Sequence, residues 1–170
     1  ACAYNTELQQ DPNIRALKES DAYPAMAERG YGWEKLMSEM LCEEYWAERQ
    51  LKTAIARFHN CYGPNGTWDG GREKAPAALI RKVIEAVDTG GLELKIWGDG
   101  TQTRSFIYVD DLVKGIDLIM HNDDLIASPI NLGSSHLVSI NDLVSVIEDI
   151  AGVEMARKYD LDAPRGVAGR

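Results

Sequence analysis

The 170-residue sequence has few cysteines, a deficit of basic residues and no long apolar run. Its three cysteines, Cys2, Cys42 and Cys61, are an odd number without paired metal-ligand spacing. They fit a reducing compartment better than a disulfide framework, and they predict no zinc or other metal site. A formal net charge of -9 argues against a broad basic face for nucleic acid. With no spanning segment or signal-like opening, the composition predicts a soluble cytoplasmic protein without nucleic-acid or membrane partners.

A glycine-rich phosphate loop is also missing. No Gly-x-x-Gly-x-x-Gly or Gly-x-Gly-x-x-Gly joins a strand to a helix, although this is the usual grip on a dinucleotide pyrophosphate. The nearest candidate, Gly63-Pro64-Asn65-Gly66, contains a proline within a long loop and is interpreted as a turn. The chain opens at Ala1 without a methionine and ends in a loop-like stretch. We therefore expect a longer protein whose upstream part carries the dinucleotide-binding half.

The pattern along the chain predicts helices alternating with strands. A long helix is expected after Ala25, running to about Gln50, and a buried strand from Thr53 is expected to end at Asn60. Later segments predict a helix from about Ala77 to Val87, a helix to Met120 capped by Asp110 or Asp111, and a last helix capped by Ser139-x-x-Asp142 and ended by Gly152. Strands are expected at Leu94 to Trp97, Gln102 to Phe106 and Pro129 to Leu132. The apolar stripe predicted for the long helix consists of Leu36, Met37, Met40, Leu41 and Tyr45.

This alternation predicts an α/β fold with a mostly parallel, doubly wound, Rossmann-like sheet and a smaller α/β subdomain for the substrate. We assign residues 1–62 and 103–135 to the sheet part. Residues 63–102 and 136–170 form the predicted substrate-binding part.

Tyr31 and Lys35 open the long helix four residues apart. On a helix this spacing puts the phenol and the ammonium on one face. A cation beside a phenol lowers the phenol's pKa, so the tyrosine could take a proton from a sugar hydroxyl while the lysine holds the ribose of a nicotinamide cofactor. The pair alone is a weak signal, because it occurs by chance on many surface helices.

Basic residues concentrate between residues 72 and 82 of an otherwise acidic chain. This concentration predicts a local anion site, with a solvated helix face as the alternative. The residues are Arg72, Lys74, Arg81 and Lys82.

Several motifs in fixed order carry a resemblance that covers nearly the whole chain. They resemble the GDP-mannose 3,5-epimerases, a branch of the extended short-chain dehydrogenase/reductase family, and the run from Gly70 to Pro76 is especially specific. The motifs are Ala1-Cys2-Ala3-Tyr4, Tyr31-Gly-Trp-Glu-Lys35, Arg57-Phe-His-Asn60-Cys-Tyr-Gly-Pro64, Gly70-Gly-Arg-Glu-Lys74-Ala-Pro76 and Trp97-Gly-Asp-Gly100-Thr-Gln-Thr-Arg104-Ser-Phe106.

The resemblance implies a catalytic set. In this family C4 of the mannosyl ring is oxidised with NAD, so Tyr31 would be the base and Lys35 its partner, both touching the cofactor. The ketone acidifies the protons on C3 and C5, and inversion needs an acid/base group on each ring face. Cys2 and Lys74 match the family's cysteine and lysine. GDP-mannose would become GDP-L-galactose or GDP-L-gulose.

The resemblance also implies substrate contacts and a homodimer through the Tyr31–Lys35 helix. One departure from the family pattern is Ala168, where a second arginine is more frequent. The implied substrate-binding residues are Cys2, Asn60, Glu73, Lys74, Ala75, Lys82, Gln102, Thr103, Arg104 and Arg170.

Two alternatives stay open. One is another nucleotide-sugar C4 epimerase or dehydratase, which shares the hydride step but does not need the pair Cys2 and Lys74. The other is a catalytically silent binding relative of the same fold. The four catalytic-type residues together favour the 3,5-epimerase hypothesis for the full-length protein, with this piece alone expected to be inactive.

Overall fold

The computed structural model describes residues 3–9, 11 and 16–163. Two predicted site residues, Cys2 and Arg170, lie outside this part of the chain. Within it, the helices are α1 (Tyr31–Arg49), α2 (Ala75–Thr89), α3 (Val109–Met120) and α4 (Ile140–Ala151). The strands are β1 (Ile55–Phe58), β2 (Asn60–Tyr62), β3 (Glu93–Trp97), β4 (Thr103–Tyr108), β5 (Pro129–Leu132), β6 (Leu137–Ser139) and β7 (Ala156–Asp160). Short 3-10 helices cover Glu19–Ala22 and Asp123–Leu125.

The strand pairing is mostly parallel, which confirms the predicted fold class. β1 pairs with β5, β2 with β4 and β3 with β7, all in parallel. β6 adds to the other side of β4 and runs antiparallel to it. Because parallel neighbours share the direction of their carboxyl ends, the loops after β1 and β5 emerge at the same edge.

Two of the predicted helix ends are confirmed and one cap is wrong. Ser139 and Asp142 form a reciprocal capping box at the start of α4, and Gly152 ends it with a φ of 66°. The residue before the first turn of α3 is Tyr108, not an aspartate. Asp110 and Asp111 lie inside that first turn, where their negative charges interact favourably with the positive end of the helix dipole.

The strand expected to end at Asn60 is divided in two. β1 ends at Phe58, and after His59 the chain enters β2, which pairs with β4. The strands β2, β6 and β7 were not predicted. Two of them have only three residues, and β7 (Ala156–Asp160) is polar and largely exposed, so none shows a clear apolar alternation.

Two apolar cores organise the described residues. The larger lies between α2, β3, α4 and the start of β7. It draws on 63–102 and 136–170, the ranges assigned above to one subdomain; that division stays a prediction. Its buried members are Leu79, Val83, Leu94, Ile96, Ile140, Val144, Ile147 and Met155. The smaller core packs the N-terminal segment against α1 through Ala3, Tyr4, Ala22, Ala27 and Leu36.

The prediction that an apolar stripe of α1 packs inward is wrong for every member except Leu36. The inward face consists of Gly32, Leu36 and Glu39. The other four stripe residues are 45–56% exposed: Met37, Met40, Leu41 and Tyr45. Among the described residues, no helix combines the length and the apolar character that crossing a membrane requires.

Candidate active site

Tyr31 and Lys35 lie on the first turn and a half of α1, as their spacing predicts. The Lys35 ammonium is 5.0 Å from the centroid of the Tyr31 ring. It also lies 3.3 Å from Glu34 Oε1. The tyrosine is 59% exposed, so the phenol can reach a ligand. Geometry thus pairs the two side chains, while their catalytic role stays a prediction.

Farther along the same helix, a buried ion pair between Arg57 and Glu39 binds α1 to β1. The sequence did not indicate this pair. Arg57 donates from Nη2 to Glu39 Oε2 at 2.7 Å and from Nε to Oε1 at 3.1 Å. Arg57 is 3% exposed. Burial by itself lowers the pKa of Arg57, but its hydrogen bonds to Glu39 and Tyr4 outweigh that effect and raise it, so the guanidinium stays charged. Its partners make this arginine part of the scaffold.

The turn after β1 holds a second network missed from the sequence. Ser105 Oγ donates to Ser134 O at 2.6 Å, so the 2.7 Å contact with His59 requires a donating Nδ1–H on the imidazole. Burial lowers the pKa of His59 below its ordinary value of 6.5. A Cβ on Gly133 would fall 2.0 Å from His59 Nδ1, so the ring needs a glycine opposite it. The only sequence signal was the polar character of the residues before Gly63.

Asn60 follows His59 and is half-buried. Its Nδ2 donates to Ser105 O at 3.4 Å, a long hydrogen bond that leaves the amide oxygen available. It lies opposite Phe106 in the pairing of β2 with β4. This places Asn60 beside β4, whose first two residues, Thr103 and Arg104, are also predicted substrate contacts. Both are half-buried, and Arg104 Nη1 donates to Thr103 O at 2.6 Å.

The predicted basic cluster is partly neutralised. Arg81 Nη2 donates to Glu73 Oε1 at 3.1 Å and Nη1 to Glu85 Oε1 at 3.0 Å. Its charge is therefore shared between two carboxylates instead of facing a ligand. The backbone N–H of Glu73 itself and the Arg81 guanidinium lower the pKa of the Glu73 carboxyl, which stays ionised. Arg81 thus acts within the fold, a correction to the anion-site hypothesis.

Lys74 and Ala75 mark the start of α2. Lys74 is exposed and occupies the cap position before the helix, and Ala75 is its half-buried first residue. A cation at the positive end of a helix dipole is disfavoured for stability. The position therefore gives the ammonium no structural benefit.

Lys82 and Gln102 both contact Trp97. The Lys82 ammonium lies 5.9 Å from the Trp97 ring centroid and donates to Lys95 O at 3.2 Å. Burial lowers the pKa of Lys82. Gln102 Nε2 donates to Trp97 O at 2.9 Å. Trp97 thus faces the Lys82 ammonium with its ring and accepts from the Gln102 amide with its backbone carbonyl.

Two buried side-chain oxygens in the described part of the chain accept no hydrogen bond: Glu73 Oε2 and Gln102 Oε1. Both belong to predicted substrate contacts. The Glu73 side chain is 9% exposed. Buried acceptors without donors are rare because each costs free energy. Each oxygen would be satisfied by an O–H or N–H donor that reached it.

Comparison with known proteins decides the family. The profile of the NAD dependent epimerase/dehydratase family matches residues 1–133. The chain belongs to this family. The chain is also 42% identical, over all 170 residues, to GDP-mannose 3,5-epimerase 1 of Oryza sativa subsp. indica, of which it covers 43%.

Solved structures of related enzymes show the same fold. The UDP-glucose 4-epimerase of Thermotoga maritima superposes with a TM-score of 0.78 at 23% identity, over 98% of this chain and 51% of that one. The UDP-glucuronic acid 4-epimerase of Bacillus cereus, solved with NAD, is 33% identical over 76% of this chain and 40% of its own, with a TM-score of 0.63. The epimerase-family chain described here thus spans about half the length of these relatives or less.

Proposed function

We propose that the protein containing this chain is an NAD-dependent epimerase that acts on GDP-mannose and inverts C3 and C5 of its sugar. The observation that carries the proposal is the Tyr31–Lys35 pair, with the ammonium 5.0 Å from the exposed ring. Two buried acceptors support it, Glu73 Oε2 and Gln102 Oε1, at positions where the motifs predict substrate contacts. A nucleotide sugar offers hydroxyl and N–H donors to both. The 42% identity to a GDP-mannose 3,5-epimerase over the whole chain favours that substrate.

The Tyr31–Lys35 pair fits the ribose end of a nicotinamide cofactor. Both side chains are accessible, and Lys35 has three donors, of which Glu34 takes one. Bound NAD supplies a hydride acceptor for C4 of the sugar and later a hydride donor. In the proposed mechanism Tyr31 removes the proton from the C4 hydroxyl while Lys35 orients the phenol and the ribose.

Inversion follows from the ketone at C4. A carbonyl acidifies the C–H bonds on both neighbouring carbons, and each inversion removes a proton on one face and returns one on the other. We assign these transfers to Cys2 and Lys74. Lys74 supports the assignment because it is exposed beside Glu73 and lies where a lysine does not stabilise the helix.

The test uses the full-length protein with GDP-mannose in deuterated solvent. Cys2→Ala and Lys74→Ala should lose about two to four orders of magnitude in epimerisation while still reducing the cofactor. Tyr31→Phe should abolish both stages. Lys114→Ala, which removes an exposed cation on α3 outside the predicted anion site, is the control for charge.

Each alternative has its own outcome. Deuterium absent from C3 and C5 in the wild type, with inversion at C4 alone, indicates a C4 epimerase. Binding of GDP-mannose without cofactor reduction indicates a silent relative. Normal inversion in the Cys2 and Lys74 variants would show that the acid/base pair is misassigned.

We also propose that the full protein is a homodimer through α1. Its exposed apolar residues repeat at helical spacing. These residues are Trp33, Met37, Met40, Leu41 and Tyr45. Isolated exposed apolar residues are normal, but five on one helix face favour an interface.

Sedimentation of the full-length protein tests the dimer. Leu41→Glu should shift it from dimer to monomer at micromolar concentration. Leu118→Glu, which changes an exposed leucine on α3, should leave the dimer intact. A monomeric wild type would contradict the proposal.

A further inference from the structure

Tyr4 is the centre of a buried hydrogen-bond network. It is 3% exposed, and its hydroxyl donates to Asn131 Oδ1 and accepts from Arg57 Nη1 at 3.2 Å. The Arg57 guanidinium also lies 5.1 Å from the Tyr4 ring centroid. One phenol therefore joins the N-terminal segment to β1 through Arg57 and to β5 through Asn131.

The same network holds the segment before α1. Arg57 Nη1 donates to Glu19 O at 2.8 Å, and Glu19 Oε1 accepts from Asn131 N at 2.9 Å. Asn131 Nδ2 donates to Leu17 O at 3.1 Å. These three hydrogen bonds join elements that are distant in sequence, so the network fixes how these elements lie against each other.

Arg57 links this network to the helix that carries the tyrosine and lysine. Tyr31, Lys35 and Glu39 follow one another at intervals of four residues along α1. The bidentate grip of Arg57 on Glu39 constrains both the position and the rotation of α1 against β1. At the other end of the network, Tyr4 is two residues from Cys2 in the sequence. Arg57 thus joins Tyr4, which follows Cys2 closely in the sequence, to the helix that carries Tyr31 and Lys35.

We infer that Tyr4 and Arg57 are positioning residues that align the Cys2-bearing segment with the Tyr31–Lys35 pair. The inference rests on the proposed function. Proton transfer at the sugar needs its acid/base group at hydrogen-bond distance from the reacting carbon, and a displacement of about 1 Å can cost about a hundredfold in rate. The hydride stage depends on α1, which Arg57 and Glu39 still hold when the Tyr4 hydroxyl is removed. Loss of that hydroxyl should therefore act on the proton-transfer stage alone.

Tyr4→Phe in the full-length protein tests the inference. The ring remains and the two hydrogen bonds are lost. Cofactor reduction on mixing with GDP-mannose should stay within about threefold of wild type, whereas deuterium incorporation at C3 and C5 should fall by about tenfold to a hundredfold. Tyr159→Phe is the matched control, because it too removes a hydroxyl that donates to an asparagine oxygen, Asn141 Oδ1 at 3.1 Å. The control should keep both stages.

A second measurement reads positioning directly. Amide hydrogen exchange of residues 3–9 should accelerate in Tyr4→Phe, while exchange in α1 stays at the wild-type rate. Unchanged exchange in residues 3–9 contradicts the inference. So does a Tyr4→Phe variant that slows both chemical stages equally or slows neither. A wild type that neither reduces the cofactor nor incorporates deuterium contradicts the proposed function and, with it, any positioning role.

Discussion

The Arg57 guanidinium and the Glu39 carboxylate meet side by side, with Nη2–Oε2 at 2.7 Å and Nε–Oε1 at 3.1 Å. Both side chains are almost fully removed from solvent. Burying two charges is costly, and in this geometry their attraction offsets the cost only while both are present. The pair therefore acts as a unit.

Removing one partner of the Arg57–Glu39 pair should lower the free energy of unfolding much more than removing both. Arg57→Met or Glu39→Met leaves a buried uncompensated charge and should lower the free energy of unfolding by about 3 to 5 kcal/mol. The double variant should recover a large part of that loss. Urea denaturation of the full-length protein measures the cycle. Glu85→Gln, which breaks the exposed i,i+4 pair with Arg81, is the control and should change stability by less than about 1 kcal/mol; additive losses in the double variant would contradict this prediction.

His59 should make stability depend on pH. Its pKa in the folded chain is lowered by burial, so below about 6.5 the unfolded chain binds a proton that the folded chain does not. This contribution is fully present above that pH and is lost as the pH falls towards the folded pKa. His59→Asn retains a donor for Ser105 and should flatten the fall in Tm between about pH 7 and 5. His121→Asn, at an exposed histidine, should keep the wild-type slope; equal slopes in all three proteins would rule out this role for His59.

Gln102→Met should separate stability from binding. The substitution removes a buried oxygen without a donor, and this gain offsets the lost hydrogen bond to Trp97 O. The Tm of the ligand-free protein should therefore stay the same or rise. Binding of GDP-mannose, measured by calorimetry, should weaken by about tenfold or more, because the ligand loses its acceptor. Unchanged affinity would show that Gln102 Oε1 does not face the substrate.

Gly133→Ala should disturb the histidine network through crowding alone. The added Cβ would meet the imidazole at 2.0 Å, so the ring or the backbone must move, at a cost of about 1 to 3 kcal/mol. Gly91→Ala is the matched control, since the nearest atom to its Cβ is 3.7 Å away. Thermal denaturation compares the two. If Gly133→Ala destabilises the His59→Ala variant as much as it destabilises the wild type, the clash with the ring is not the cause.

Local signals predicted the elements that depend on local causes. The capping box at Ser139 and the helix end at Gly152 were readable because their residues bond within a few positions of each other. The Tyr31–Lys35 contact followed from helical spacing in the same way. The other catalytic and binding positions within the described residues, among them Glu73, Lys74 and Gln102, were proposed from motif resemblance, and their roles stay predictions.

Long-range pairing explains what the sequence could not reveal. Nothing near Arg57 in the sequence indicates that Glu39 and Tyr4 surround it. Arg81 looked like part of an anion site for the same reason, although Glu73 and Glu85 bind it. Charge in a sequence shows which groups are present, but only the fold shows which of them neutralise each other.

The larger core has a consequence for biosynthesis. Among the described residues, the first half of this core, from Leu79 to Ile96, gains its cover from Ile140 and the rest of α4, which leave the ribosome about 45 residues later. At about 5 to 20 residues per second, this leaves α2 and β3 with an open apolar face for about 2 to 9 seconds. During that interval the nascent chain offers a binding surface for chaperones, and a substitution that slows the docking of α4 would reduce the yield without changing the folded protein.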